Sequence, residues 1–239
     1  MSNMPPESTE ESIAAATADE ALVLTPQEQE SLIESVYKNQ GGDLVVRIVE
    51  EVGLNDFGFV VMRLDYGNEE DWVRWKDSFT EHLDLSLAKA EGGERIMDNL
   101  LVNFVEDEEL DMAGFCGTAW YYVAIQEEGL VQPGLDSSMF LAVDRNAIDS
   151  LLSPVTGQEP WVWAVDRTSS FEVGQQPPQG DPPLSLEYPG YFRIAISELV
   201  PQLWPVCMLL EEMCGTQLWE SLVGIGLNFL VPGVSHTLG

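Results

Sequence analysis

The most constraining feature of the sequence is a strand-like run followed directly by a long amphipathic helix. The run FGFVVMRLDYG is rich in β-branched and aromatic residues and ends at Gly67, which predicts a strand. The next segment, NEEDWVRWKDSFTEHLDLSLAKAEGG, opens with Asn68 as N-cap and three acids that suit a helix N-terminus. Within this segment the bulky apolar residues recur at spacings of three and four: Trp72, Trp75, Phe79, Leu83 and Leu87. Such a stripe has to be buried, so the sequence predicts this helix packed on a sheet.

The rest of the chain predicts further strands and helices in mixed order. SSMFLAV, WVWAVDR and YFRIAIS predict three more strands. Helices are favoured for three segments: DLVVRIVEEVG, RNAIDSLL and the segment from Glu94 to Val105. A helix is also favoured for FCGTAWYYVAIQEEG, with a strand as the alternative. Ser197 is the predicted N-cap of the helix ELVPQLW, which Pro205 is expected to end.

These elements predict an α+β fold, with an antiparallel or mixed sheet of about four strands and helices packed on it. A split β-α-β arrangement like the ferredoxin class is one candidate topology. Residues 1–24 are acidic and poor in large apolar groups, which predicts a disordered tail. Residues 25–239 then form a single domain that opens with a helix capped by Thr25 and contains a proline-rich loop at 168–189. The apolar helix predicted at 206–230 could support a homodimer.

The charge balance limits the classes of partner. The chain has 41 acidic and 10 basic side chains, a formal net charge of -31, so binding to nucleic acid or to an anionic membrane is not expected. A basic protein partner fits this charge better. No apolar stretch is long enough to predict a membrane span. The first 37 residues contain no Lys or Arg, which argues against a signal or transit peptide and predicts a cytoplasmic protein, with the nucleus as an open alternative.

Four of the basic residues lie in or directly after the predicted strands. They are Arg63, Arg145, Arg167 and Arg193. If the sheet brings them together, their guanidinium groups would bind a carboxylate, a phosphate or an acidic peptide, because arginine holds planar anions through two parallel hydrogen bonds. This pattern predicts a non-catalytic binding or protein-interaction module without a cofactor. The open alternative is that each arginine forms an ion pair with a neighbouring aspartate and fixes strand register.

The aspartates support a second hypothesis from a different class. Asp65, Asp144 and Asp166 each end a predicted strand, and the tetrapeptide AVDR occurs twice. Carboxylates at adjacent strand ends are suitable ligands for Mg²⁺, so a divalent-metal-dependent enzyme is the alternative function. Aspartate is also common at strand ends for turn formation alone. The two histidines, His82 and His236, lie in an amphipathic helix and near the C-terminus, which does not favour histidine-based catalysis.

Several short patterns resemble an uncharacterised family of intracellular proteins common in filamentous fungi. They are FGFVVMRLDYGNEEDWVRW, FLAVDRNAIDSLL, WVWAVDR and YPGYFRIAISELVPQLW, and together they span about residues 55–205. The family combines a strand ending in Arg-x-x-Tyr, an acidic-capped helix with a Trp, a strand ending in Val-Asp and a closing strand before Val-Pro. The resemblance implies a fungal accessory or interaction protein and implies no particular activity.

Overall fold

The computed structural model describes residues 42–169, except 112 and 136, residues 188–210, and Ser31. Its α-helices are α1 (Gly42–Val52), α2 (Glu69–Ala88), α3 (Gly114–Glu127), α4 (Arg145–Leu152) and α5 (Trp204–Leu210). Its strands are β1 (Phe57–Arg63), β2 (Leu100–Val105), β3 (Met139–Val143), β4 (Trp161–Asp166) and β5 (Tyr191–Ala195). Three further predictions lie mostly outside the described residues: the helix after Thr25, except Ser31, the 168–189 loop and the 206–230 helix. The predicted tail at 1–24 lies wholly outside them.

The strands form one mixed sheet in the order β2-β1-β3-β4-β5. β1 is parallel to both β2 and β3, whereas β4 is antiparallel to β3 and to β5. The α+β class is therefore confirmed, with a mixed sheet. Because β1 and β2 are direct parallel neighbours, the unit β1-α2-β2 is not split, and the ferredoxin-like topology is wrong.

Helices cover both faces of the sheet. On the front face, Trp72 and Phe79 of α2 contact Phe104 of β2, with ring centroids 6.0 and 6.3 Å apart. On the back face, Phe115 of α3 lies 5.6 Å from Trp163 of β4. The predicted stripe of α2 is confirmed, since all five side chains are fully buried: Trp72, Trp75, Phe79, Leu83 and Leu87. The core therefore consists of two apolar layers separated by the sheet.

The helix predicted from Glu94 to Val105 is wrong. Two short 3₁₀ turns, Gly93–Arg95 and Met97–Asn99, lead instead into the strand β2. The segment fits a helical spacing through four apolar residues, Met97, Leu100, Leu101 and Phe104. Its part LLVNFV is also apolar and strand-prone. Pairing with β1 along six residues decides in favour of the strand, and this contact is not local in sequence.

Two predictions near the last strand also differ from the structure. Ser197 does not cap a helix, because it lies inside the 3₁₀ turn Ile196–Glu198, and its hydroxyl donates to Glu159 Oε2 at 3.1 Å. Pro205 does not end a helix either: a π-helical turn at Leu199–Leu203 leads directly into α5, and Pro205 lies in its first turn. A proline is tolerated there because the first N–H groups of a helix have no intrahelical acceptor. Among the described residues, no helix is long and apolar enough to cross a membrane.

The predicted N-cap of α2 is confirmed, and it supports a first testable prediction. Asn68 Oδ1 accepts hydrogen bonds from the backbone N–H groups of Glu70 and Asp71 at 3.0 and 3.2 Å. Replacing Asn68 by Ala removes this acceptor, so we expect a loss of about 1 kcal/mol in the free energy of unfolding, measured with urea. Asn68→Ser keeps an acceptor and should retain most of the stability. Equal losses in both variants would contradict the capping role.

Candidate functional site

The loops after β1 and β2 leave the sheet on opposite faces. The loop at 64–68 leads to α2 on the front face, and the loop at 106–113 leads to α3 on the back face. The chain passes from β1 to β2 on one side and then to β3 on the other side, so the strand order reverses at β1. Such a reversal is a topological switch point, and in sheets with parallel strands ligands bind there, at the carboxyl ends. We refer to five residues at this position as the switch-point cluster: Arg63, Asp65, Tyr66, Glu69 and Glu106.

Arg63 is the central residue of the switch-point cluster. It is the last residue of β1 and only 2% exposed. Its Cζ lies 4.3 Å from the ring centroid of Tyr66 and 5.0 Å from that of Trp72, so two aromatic rings fix the orientation of the guanidinium. Nε donates to the carbonyl oxygen of Asp65 at 2.8 Å, and Nη1 donates to Glu69 Oε2 at 2.7 Å.

Two buried polar atoms of the switch-point cluster lack a hydrogen-bond partner among the described residues. One is the donor Nη2 of Arg63 and the other is the acceptor Oδ2 of Asp65. The latter lies 3.9 Å from Arg145 Nη1, which is an ion-pair distance but too long for a hydrogen bond. Buried polar atoms normally have such partners, because leaving one unpaired costs roughly 1–3 kcal/mol. The switch-point cluster therefore has one unused donor and one unused acceptor.

Carboxylates surround this position. Arg63 Nη1 also lies 3.6 Å from Glu106 Oε2, and Lys76 Nζ donates to Glu106 Oε1. Burial raises the pKa of Glu106, but the hydrogen bond from Lys76 and the charges of Lys76 and Arg63 outweigh it and lower the pKa. Burial raises the pKa of Tyr66 to about 12, and its hydroxyl donates to the carbonyl oxygen of Asp107 at 2.6 Å. Tyr66 is therefore a neutral hydrogen-bonded group at any physiological pH.

Arg145 lies at the same end of the sheet as Arg63, since β1 and β3 are parallel and α4 starts directly after β3. Its Nη2 donates to Asp71 Oδ2 at 2.9 Å and to Asp149 Oδ1. The guanidinium of Arg145 is therefore already bound by carboxylates from α2 and α4. The ion-pair alternative fits Arg145, although its partners are not the aspartate next to it in the sequence.

Arg193 lies on the other face of the sheet. Residues that pair directly on neighbouring strands lie on the same face of the sheet. Arg193 pairs with Trp163, Trp163 with Ala142, and Ala142 with Met62. Arg193 and Met62 therefore lie on the same face. Arg63 is the next residue along β1 and therefore points to the opposite face. The Cζ of Arg193 lies 4.1 Å from the ring centroid of Trp161. The four arginines do not converge on one pocket.

The first AVDR tetrapeptide places Asp144 in a structural role. Its Oδ1 accepts the backbone N–H of Ala147 at 2.9 Å, so Asp144 is the N-cap of α4. Burial raises its pKa, and the N–H of Ala147, the side chain of Asn146 and the charge of Arg193 offset this only in part. Capping therefore accounts for the aspartate at this strand end.

The second AVDR tetrapeptide lies at the opposite end of the sheet. Asp166 pairs with Met139, the first residue of β3, because β4 runs antiparallel to β3. Asp166 Oδ1 accepts from the backbone and hydroxyl of Thr168 at 2.8 and 2.7 Å, which is a local turn. Arg167 follows it, with its backbone N–H donating to Ser138. Asp166 and Arg167 are thus removed from Asp65, and among the described residues no group of three or more acidic, His or Cys side chains could hold a metal ion.

The sequence prediction missed Tyr66, Glu69 and Glu106 as neighbours of Arg63. A signal existed for Glu69, which lies six residues after Arg63 in the first turn of a correctly predicted helix. Glu106 has no such signal, because the segment before it fits a helical spacing although it forms the strand β2. The site therefore depends on the pairing of β1 with β2.

Comparisons with protein-family models, with curated proteins and with solved structures find no match to this chain. The resemblance to the family of filamentous fungi stays a prediction.

Proposed function

We propose that this protein is a non-catalytic binding module for a small ligand that carries a carboxylate and a positively charged group, as an amino acid does. The binding site is the switch-point cluster. The observation that carries the proposal is the pair of buried atoms, Arg63 Nη2 and Asp65 Oδ2, that have no hydrogen-bond partner among the described residues. The ligand would supply an acceptor to the first and a donor to the second.

The carboxylate of the ligand would replace that of Glu69. Glu69 contacts Arg63 through one oxygen and Nη1, and its side chain is 68% exposed, so it can move into water at little cost. A ligand carboxylate in its place can accept from Nη1 and Nη2 together, which is the stronger bidentate arrangement. Because Tyr66 and Trp72 hold the guanidinium, little side-chain entropy is lost on binding.

The positive group of the ligand follows from the surrounding charge. A purely anionic ligand would approach a chain of net charge -31 against its field. The carboxylate of Glu106 lies 3.6 Å from Arg63 Nη1, and that of Asp65 lies 3.9 Å from Arg145 Nη1. These carboxylates would attract an ammonium group of the same ligand. A zwitterion therefore fits this position better than a simple anion.

The first experiment is a thermal-shift panel of the proteinogenic amino acids at millimolar concentration. We expect at least one to raise the melting temperature, because a ligand that binds only the folded state stabilises it. For each positive compound, the analogues without the amino group and without the carboxylate should bind more weakly. If no amino acid and no simple carboxylate shifts the melting temperature, the proposal is wrong.

The second experiment uses a matched pair of substitutions on α2. Glu69→Gln removes the charged competitor for Arg63, so calorimetry should show tighter binding of the positive amino acid, by about tenfold, the value of one charged hydrogen bond. Glu70→Gln makes the same change of charge at the next exposed position, and Glu70 forms no ion pair with Arg63 within the described residues. Equal effects of the two variants would show that only the overall charge matters and would contradict displacement of Glu69.

A further inference from the structure

Strand β2 is an edge of the sheet formed by the described residues. Its one neighbour there is β1, so half of its backbone N–H and C=O groups point away from the sheet. All six residues of LLVNFV are partly exposed, and none is charged or proline. Natural edge strands usually carry a Lys, a Pro or a bulge that prevents pairing with another chain. β2 has no such residue, so it is suited to accept a further strand.

The ends of β2 are acidic. Asp98 lies just before the strand, and Glu108 and Glu109 lie just after it, all three exposed. Lys76 is the basic side chain near Phe104, and it already binds Glu106. An incoming strand therefore meets an uncharged central stretch with negative charge at both ends.

This charge pattern distinguishes between two occupants. Antiparallel pairing of β2 with β2 of a second copy would place Asp98 of each chain near Glu108 and Glu109 of the other. Each copy also carries a net charge of -31, so self-association is opposed. A basic segment gains from the same charges.

We propose that β2 binds an extended segment of a partner protein by strand addition, and that this segment carries Lys or Arg on both sides of a β-prone stretch of about six residues. Main-chain hydrogen bonds would supply the affinity, and the flanking acids would select the basic partner. Six residues of β2 span roughly 20 Å, which sets the separation of the two basic ends. The proposal uses the outer backbone edge of β2 and its flanking acids, and it uses neither Arg63 nor Asp65, so it does not depend on the proposed ligand.

The test uses three synthetic peptides with the intact protein at low ionic strength: KKTVTVTVKK, EETVTVTVEE and KKTVPVTVKK. We expect saturable binding of the first alone, because the second has the wrong charge and proline in the third removes a main-chain donor. Hydrogen exchange should show protection of the β2 amides on binding. Equal binding of the proline peptide, or no binding of the first peptide, would overturn the proposal.

Matched charge reversals locate the contact. Glu108→Lys with Glu109→Lys should weaken binding of KKTVTVTVKK by about fivefold or more. Glu81→Lys with Asp84→Lys, at exposed positions of α2, makes the same change in net charge and should have a smaller effect. In the protein alone, whatever its oligomeric state, the β2 amides that face away from β1 should exchange rapidly. A dimer whose β2 amides are protected would assign the edge to a second copy and overturn the proposal.

Discussion

Gly58→Ala is expected to destabilise the protein by about 4 kcal/mol, a large fraction of the stability of an ordinary domain. Gly58 lies in β1 with φ +142°, a backbone conformation that L-residues rarely adopt. A Cβ at this position would also lie 2.0 Å from the carbonyl oxygen of Leu101 in β2. The strain contributes roughly 1–3 kcal/mol, and separating the two strands contributes a similar amount. Urea unfolding at equilibrium measures the loss.

Gly53→Ala is the matched control for Gly58→Ala. Gly53 follows α1 with φ +72°, and a Cβ there would meet no heavy atom within 4 Å. It therefore carries the backbone strain without the collision, and we expect a loss of about 1–2 kcal/mol. If the two variants lose equal stability, the close approach of β1 and β2 at Gly58 is not a constraint on the fold.

The elements that depend on local pattern were predictable from the sequence. The helix α2 has a cap at Asn68 and an apolar stripe, both of which are set by residues less than one helix length apart. The strand β2 was not predictable in this way, because its apolar residues satisfy a helical and an extended spacing equally well. Its pairing with Phe57 to Met62, about 40 residues earlier in the chain, decides between them.

The candidate site was predictable in part. The sequence groups four strand-borne arginines, and the structure brings two of them, Arg63 and Arg145, to one end of the sheet because β1 and β3 are parallel. The sequence does not indicate that Arg167 lies at the other end of the sheet from Arg63 and Arg145, or that Arg193 lies on the other face from Arg63. Strand direction and the face of each side chain follow from the sheet topology, and the two AVDR tetrapeptides end strands of opposite direction.

The ion-pair alternative and the binding hypothesis apply to different arginines. Arg145 is bound by carboxylates from two helices, which fits a structural role. Arg63 differs, because one of its ion-pair partners is an exposed glutamate and one of its donors is unused among the described residues. A single residue, and not a set of four, therefore carries the binding hypothesis.

Trp72→Ala is the second substitution with a large expected effect, and it connects the core to the candidate site. Trp72 is fully buried, stacks on Trp75 at 5.2 Å and lies beneath the guanidinium of Arg63. Truncation to Ala leaves a cavity between α2 and β2, so we expect a loss of about 3–5 kcal/mol in the free energy of unfolding. Circular dichroism during urea unfolding measures it.

Trp72→Phe distinguishes the two contributions of this ring. Phenylalanine keeps an aromatic face beneath Arg63 but fills less of the space beside Trp75 and Phe104, so its loss of stability should be clearly smaller than that of Trp72→Ala. Because the guanidinium stays oriented, a folded Trp72→Phe protein should still bind the amino acid found in the panel, within about threefold of the original affinity. Loss of binding in a folded Trp72→Phe protein would contradict the placement of the ligand at Arg63. Binding that survives in Trp72→Ala below its unfolding transition would show that the ring is needed for the core alone.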